Sequence, residues 1–135
     1  MRTRVVAAGL TCAGILGACD TLTVVDCPAI VPPAIQVQVV DSLSGAWVAE
    51  GAEGFIAKGE VSLPLAIWAW EVVDGVPVAT TLAPEGGSAG IYEVEIRRDG
   101  YRDWRMGGVV VTEGVCSVET VELVARLQPD PSSVS

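Results

Sequence analysis

The side chains able to do chemistry in this chain are four cysteines (Cys12, Cys19, Cys27 and Cys116), several close-set carboxylates and four tryptophans. There is no histidine. That removes the commonest general base and the commonest zinc ligand, so a serine triad, a cysteine–histidine dyad and a His-based metal site are excluded. Glu50 with Glu53, Glu93 with Glu95, and Glu119 with Glu122 have the residue types of a glycosidase pair. Carboxylates two apart on a strand share one face, however, and that face is more often simply solvated. Asp99 and Asp103 could converge on a calcium ion, but the dense Asp/Asn/Gly spacing of a calcium loop is missing. No Gly-rich run sits at a strand-to-helix junction, as a phosphate loop would require. The expectation is a non-enzyme with no catalytic residue, cofactor or metal.

The tryptophans leave two readings open. Trp68 and Trp70 lie two apart, so in a regular strand they share one face, with Leu65, Ile67 and Ala69 on the other. If the aliphatic set faces the core, the pair is an exposed aromatic platform of the kind that stacks on sugar rings. If the tryptophans face inward, they fill a core otherwise poor in large rings, with one Phe and two Tyr in the whole chain. Trp47 and Trp104 are open in the same way.

Chain-wide charge narrows the partners. Eight basic and 17 acidic residues give a net charge of −9, and no basic cluster offsets it. Such a surface repels phosphate backbones, so nucleic acid is not an expected partner.

The N-terminus reads as an export signal. Arg2 and Arg4 precede an apolar stretch from Val5 to Leu16, whose 12 residues suit a signal-peptide core and are too few to span a bilayer. Leu16-Gly17-Ala18-Cys19 resembles the lipobox of bacterial lipoproteins, with leucine three residues before a cysteine. The resemblance implies diacylglyceryl modification of Cys19 and cleavage before it. Residues 1–18 are then the signal (a helix), and the protein is lipid-anchored in the bacterial cell envelope, facing the periplasm or the exterior. The mature chain keeps 6 basic and 17 acidic residues, a charge of −11. With Cys12 removed and Cys19 capped, Cys27 and Cys116 remain as an even pair. In an exported protein that suggests a disulfide, the alternative being two free buried thiols.

Past the signal, Pro28, Pro32 and Pro33 predict an extended tether over residues 19–33. Period-two alternation begins at Ile35, Val37 and Val39 and returns at Tyr92, Val94 and Ile96. The apolar run Val61 to Val73 reads as one strand, Asp74-Gly75 as a two-residue hairpin turn, and Val109 to Thr112 and Ser117 to Leu127 as the closing strands. Pro129 onward reads as a disordered tail.

Two stretches resemble carboxypeptidase regulatory-like domains. Ile35 to Val48, IQVQVVDSLSGAWV, is similar to their opening strand and D-x-x-S/T-G turn. Gly90 to Tyr101, GIYEVEIRRDGY, is similar to their G-x-Y-x-V-x-x-x-x-x-G-Y stretch. The family's mid-domain T-x-x-D-G-x-F segment is not recognisable here. The resemblance implies a seven-stranded antiparallel, prealbumin-like (transthyretin-like) β-sandwich over residues 34–128, with no catalytic residues of its own and with Tyr101 packed against the sandwich. The expected function is a membrane-anchored structural or protein-interaction module with an envelope protein partner. The alternative is a carbohydrate- or peptide-binding lipoprotein using Trp68 and Trp70.

Overall fold

A computed structural model describes residues 26–133. The expected signal, the lipobox and Cys19 lie outside the described residues. Eight strands make up two four-stranded sheets: β1 (Ile35–Asp41), β2 (Glu53–Lys58), β3 (Val61–Pro64), β4 (Ala66–Val73), β5 (Val76–Ala83), β6 (Gly90–Arg97), β7 (Trp104–Val111) and β8 (Val121–Leu127). One sheet has the order β4-β5-β1-β8 and the other β3-β2-β6-β7.

The period-two segments supply the core between the sheets. Ile35, Val37 and Val39 of β1 are wholly buried, and they meet Tyr92, Val94 and Ile96 of β6 from the facing sheet. Ile56, Leu82, Ala125 and Leu127 complete the centre, while Val121, Leu123 and Trp104 pack half-buried at its margin. Alternation on β6 turns Ile91, Glu93 and Arg97 to solvent.

Eight strands replace the seven expected, because the run from Val61 to Val73 is not one strand. It breaks at Leu65. Residues 61–64 pair with β2 in one sheet and residues 66–73 pair with β5 in the other. Pro64 has no N–H to donate, which suits the end of a ladder. The Leu65 N–H bonds the Gly54 carbonyl (2.9 Å) at the crossing. β2 was not anticipated, since only Ile56 within it is fully buried and charges stand at both ends. The sandwich is also not wholly antiparallel: β1 and β8 pair in parallel over seven residues, Ile35 opposite Val121 through Asp41 opposite Leu127.

The turns follow their residues. Asp74 and Gly75 both have positive φ, 51° and 80°, the signature of a type I′ turn, and they join β4 to β5 with Val73 opposite Val76. The segment from Pro129 differs from the frayed tail expected. Pro129 bridges to Tyr101, the Asp130 N–H bonds the Gly100 carbonyl (2.9 Å), and a short 3₁₀ turn covers Pro131–Ser133. The bridge is closed by the residues on either side, the Arg102 N–H donating to the Gln128 carbonyl (2.9 Å) and the Asp130 N–H to the Gly100 carbonyl, so Pro129 sits where no N–H is needed.

Candidate binding edge

Among the described residues β4 is an edge strand, flanked by β5 on one side and by no strand on the other. Along it Ile67, Trp68, Trp70, Val72 and Val73 are all exposed, the two tryptophans at 47% and 56% and Val72 at 70%. Neither of the two alternating sets is core. The reason lies in the register, which slips on both sides of Ala69. Ile67 stands opposite Leu82, Ala69 opposite Thr81 and Trp70 opposite Ala79, so Trp68 and Thr80 are each an extra residue in their strands. Cross-strand partners share a face, which puts Ile67 and Trp70 on the same side as the buried Leu82 and Ala79. The expected split between an aliphatic and an aromatic face therefore fails. β3, which leads into β4, is only four residues long, so the facing sheet offers little cover at this corner.

The hairpin tip extends the apolar surface. Val76 is exposed at 58%, beside Val72 and Val73. This is a feature the paired-tryptophan argument missed. The signal was present: residues 66–78 contain only two charges, Glu71 and Asp74, and apolar residues occur at both parities. Because β5 runs antiparallel to β1 (Val37 opposite Leu82, Gln38 opposite Thr81), the tip lies toward the end of β1 at Asp41, away from the entry of the chain at Pro33.

At that entry Cys27 and Cys116 stand at disulfide distance, with Sγ–Sγ 1.97 Å and Cα–Cα 5.3 Å across 89 residues of sequence. Both residues are exposed, so the alternative of buried free thiols is not what the geometry shows. Pro33 beyond them is buried, and its carbonyl accepts from the Thr120 hydroxyl at 2.7 Å. The Ala34 carbonyl accepts from the Val121 N–H at 2.9 Å. The tether thus ends in a staple beside β8.

Three of the candidate carboxylates, Glu95, Asp103 and Glu119, are held by partners within the fold. Glu95 is nearly buried on the outer face of β6, and its Oε1 accepts from Arg105 Nε at 2.8 Å and Arg97 Nη2 at 3.1 Å. Burial pushes its carboxyl up, but the hydrogen bonds from Arg105 and Arg97 outweigh that and hold it below the usual range. A carboxylate gripped by two guanidinium groups is a poor proton donor, so Glu95 is not placed to serve as the general acid of a Glu93–Glu95 pair. A partly open depression of about 370 Å³ lies beside it, bordered by Phe55, Glu93, Arg105 and Met106. Asp103 stands 3.7 Å from Arg97, and Glu119 accepts from the Thr112 hydroxyl at 3.2 Å. Glu50 offers its backbone carbonyl to Arg98. Among the described residues no three His, Cys, Asp or Glu side chains gather as metal ligands would.

The two stretches that carried the family resemblance meet. The Tyr101 hydroxyl donates to Asp41 Oδ2 at 2.7 Å, while Asp41 Oδ1 accepts from the Leu43 and Ser44 N–H groups at 2.8 and 2.9 Å. The Ser44 N–H, the Tyr101 hydroxyl and the Leu43 N–H together hold the Asp41 carboxyl at about 2, below its ordinary 3.8. The same bond raises the Tyr101 hydroxyl. Tyr101 is thus packed at the margin of the core, not offered to a ligand. Trp47, which bridges to Val40, and Trp104, which packs on the core, are half-buried. No protein-family model matches the chain, and no curated protein matches it.

Proposed function

We propose that this protein is an exported lipoprotein, anchored to an envelope membrane through Cys19, whose transthyretin-like domain works by binding a partner rather than by catalysis. The observation that carries the binding role is the exposure of Trp68 and Trp70 on an unpaired edge strand. Large rings on a small acidic domain cost solubility unless something covers them, and contiguous apolar patches of several hundred Å² commonly mark interaction sites. The pairing of Cys27 with Cys116 supports an oxidising compartment. The contact between Asp41 and Tyr101 supports the regulatory-like resemblance, because it gives both of its motifs one structural purpose.

The anchor and the edge suit each other. A chain held at Cys19 enters the sandwich at the Cys27 end, so the β4–β5 tip points away from the membrane and toward other envelope proteins. A second reading, capture of a carbohydrate by the same two rings, is favoured by their exposure but not by their surroundings. Along residues 66–73 the only side-chain polar groups fit to hydrogen-bond sugar hydroxyls are the Glu71 carboxylate and the two indole N–H groups.

Two measurements test the proposal. Cells given labelled palmitate should incorporate it into the protein, and Cys19→Ser should abolish the label; a native chain that partitions into the aqueous phase of a detergent separation defeats the anchor. A photo-crosslinking amino acid placed at position 70 should give envelope adducts in living cells that the same probe at Val110, exposed on the β7 edge of the other sheet, does not. Equal adducts from both positions, or none from position 70, defeat the binding edge.

A further inference from the structure

The β4 edge is apolar, open along its backbone and wholly acidic in its charged groups, and this combination specifies what can cover it. Resting on the binding role given to that edge above, we propose that its occupant is an extended, cationic and apolar segment of another polypeptide, added as a further strand beside Trp70–Val73.

The backbone comes first. From Trp70 to Val73 the register with β5 is unbroken: Trp70 opposite Ala79, Glu71 opposite Val78, Val72 opposite Pro77 and Val73 opposite Val76. The residues flanking a two-residue turn form a hydrogen-bonded pair, and such pairs alternate with open ones along an antiparallel ladder. Val73 and Glu71 therefore bond toward β5, while Trp70 and Val72 aim their N–H and C=O groups outward. Pro77 agrees with this, since it occupies a pair in which no N–H is needed toward β4. The two bulges lie upstream, around Ala69, leaving this stretch regular.

Charge then selects the partner. No lysine or arginine occurs between Lys58 and Arg97, whereas Glu60, Glu71, Asp74, Glu85, Glu93 and Glu95 fall in that interval. The nearest cations lie at the β3 end, where Lys58 stands opposite Val61 and Arg97 borders Pro64 and Leu65, and no cation occurs within the sequence of β4 and β5 themselves. A second copy of this chain would set one acidic, apolar edge against another with no cation to offset it. An added strand carrying Lys or Arg opposite Glu71, with apolar residues opposite Trp70 and Val72, satisfies both faces of the edge at once. An anionic lipid surface is disfavoured by the same carboxylates.

The test uses the mature chain from position 19 with Cys19→Ser, expressed without residues 1–18, so that neither acyl chains nor the apolar Val5–Leu16 segment draws it into micelles. Short peptides alternating valine with lysine are titrated against it, with valine–glutamate peptides as the opposite-charge control. The lysine peptides should bind about fivefold tighter or more, with affinity falling as salt rises. Glu71→Lys, at an exposed position, should reverse the preference. Val72→Pro should leave the melting temperature within a few degrees, because an outward N–H takes no part in the β4–β5 ladder, yet weaken peptide binding at least about fivefold. Absence of binding, equal binding of both peptides, or indifference to Val72→Pro overturns strand addition. So does a free chain that dimerises at micromolar concentration through this edge, or an oligosaccharide that binds where the peptides do not. Crosslinking from position 70 separates the two levels. Adducts there combined with failed peptides sink only the strand proposal, whereas no adducts sink the binding edge itself.

Discussion

Replacing Cys27 and Cys116 together by serine measures how much of this small sandwich depends on its staple. The bridge closes 89 residues, nearly the whole described domain and seven of its eight strands. In the chain-entropy model a loop of that length restrains the unfolded chain by about 4.6 kcal/mol at 25 °C. Part of that is recovered when the bridge is lost. Residues 26–31 are exposed and make no backbone hydrogen bond among the described residues, so in the double variant they are free to fray and regain entropy in the folded state. The first firm attachments come at Pro33 and Ala34. The net loss expected is therefore about 2–4 kcal/mol. With an unfolding entropy near 0.2 kcal/mol/K for a domain of roughly 100 residues, this is a fall in Tm of about 10–20 °C. Serine suits both sites because both are exposed and no hydroxyl is buried. Urea titration followed by circular dichroism gives the number directly. The m-value should rise in the variant, since the unbridged chain exposes more surface on unfolding. A loss below about 1 kcal/mol with an unchanged m-value would refute the reasoning, because it would mean that the staple does not constrain the unfolded chain.

The tryptophan pair and the Asp41 turn give two further stability tests. Changing Trp68 and Trp70 both to alanine should cost less than about 1.5 kcal/mol in total, since both rings are largely exposed; a loss of the several kcal/mol typical of buried Trp→Ala would show that they are core after all. The folded-state pKa of Asp41 is depressed, so its contribution is fully present above its ordinary 3.8 and is lost as pH falls through about 2. Asp41→Asn should accordingly flatten part of the fall in Tm between pH 4 and 2, and Tyr101→Phe should do so to a lesser degree because the Ser44 N–H is the larger cause. Parallel Tm-against-pH curves for the parent and Asp41→Asn would contradict that assignment.

What could be read from the sequence was whatever depends on neighbours along the chain. Ile35, Val37 and Val39, and again Tyr92, Val94 and Ile96, alternate with polar partners, and period two with one buried face needs no tertiary information to recognise. Asp74-Gly75 carried its turn in its own backbone preferences. The Cys27–Cys116 pairing followed from counting once the lipobox reading had assigned Cys12 and Cys19. The tertiary structure decided the rest, for reasons that are not local. Whether residues 61–73 form one strand or two depends on which strand each half can pair with, β2 or β5, and not on the residues themselves. The parallel pairing of β1 with β8 joins residues more than 80 apart in sequence, and nothing in either strand names the other. The aromatic residues show the limit most clearly. Trp68 and Trp70 have the same composition and spacing whether buried or exposed. Two bulges around Ala69, and a facing strand only four residues long, leave them in solvent. A residue's side of a sheet is set by register, and register belongs to pairs of strands rather than to one.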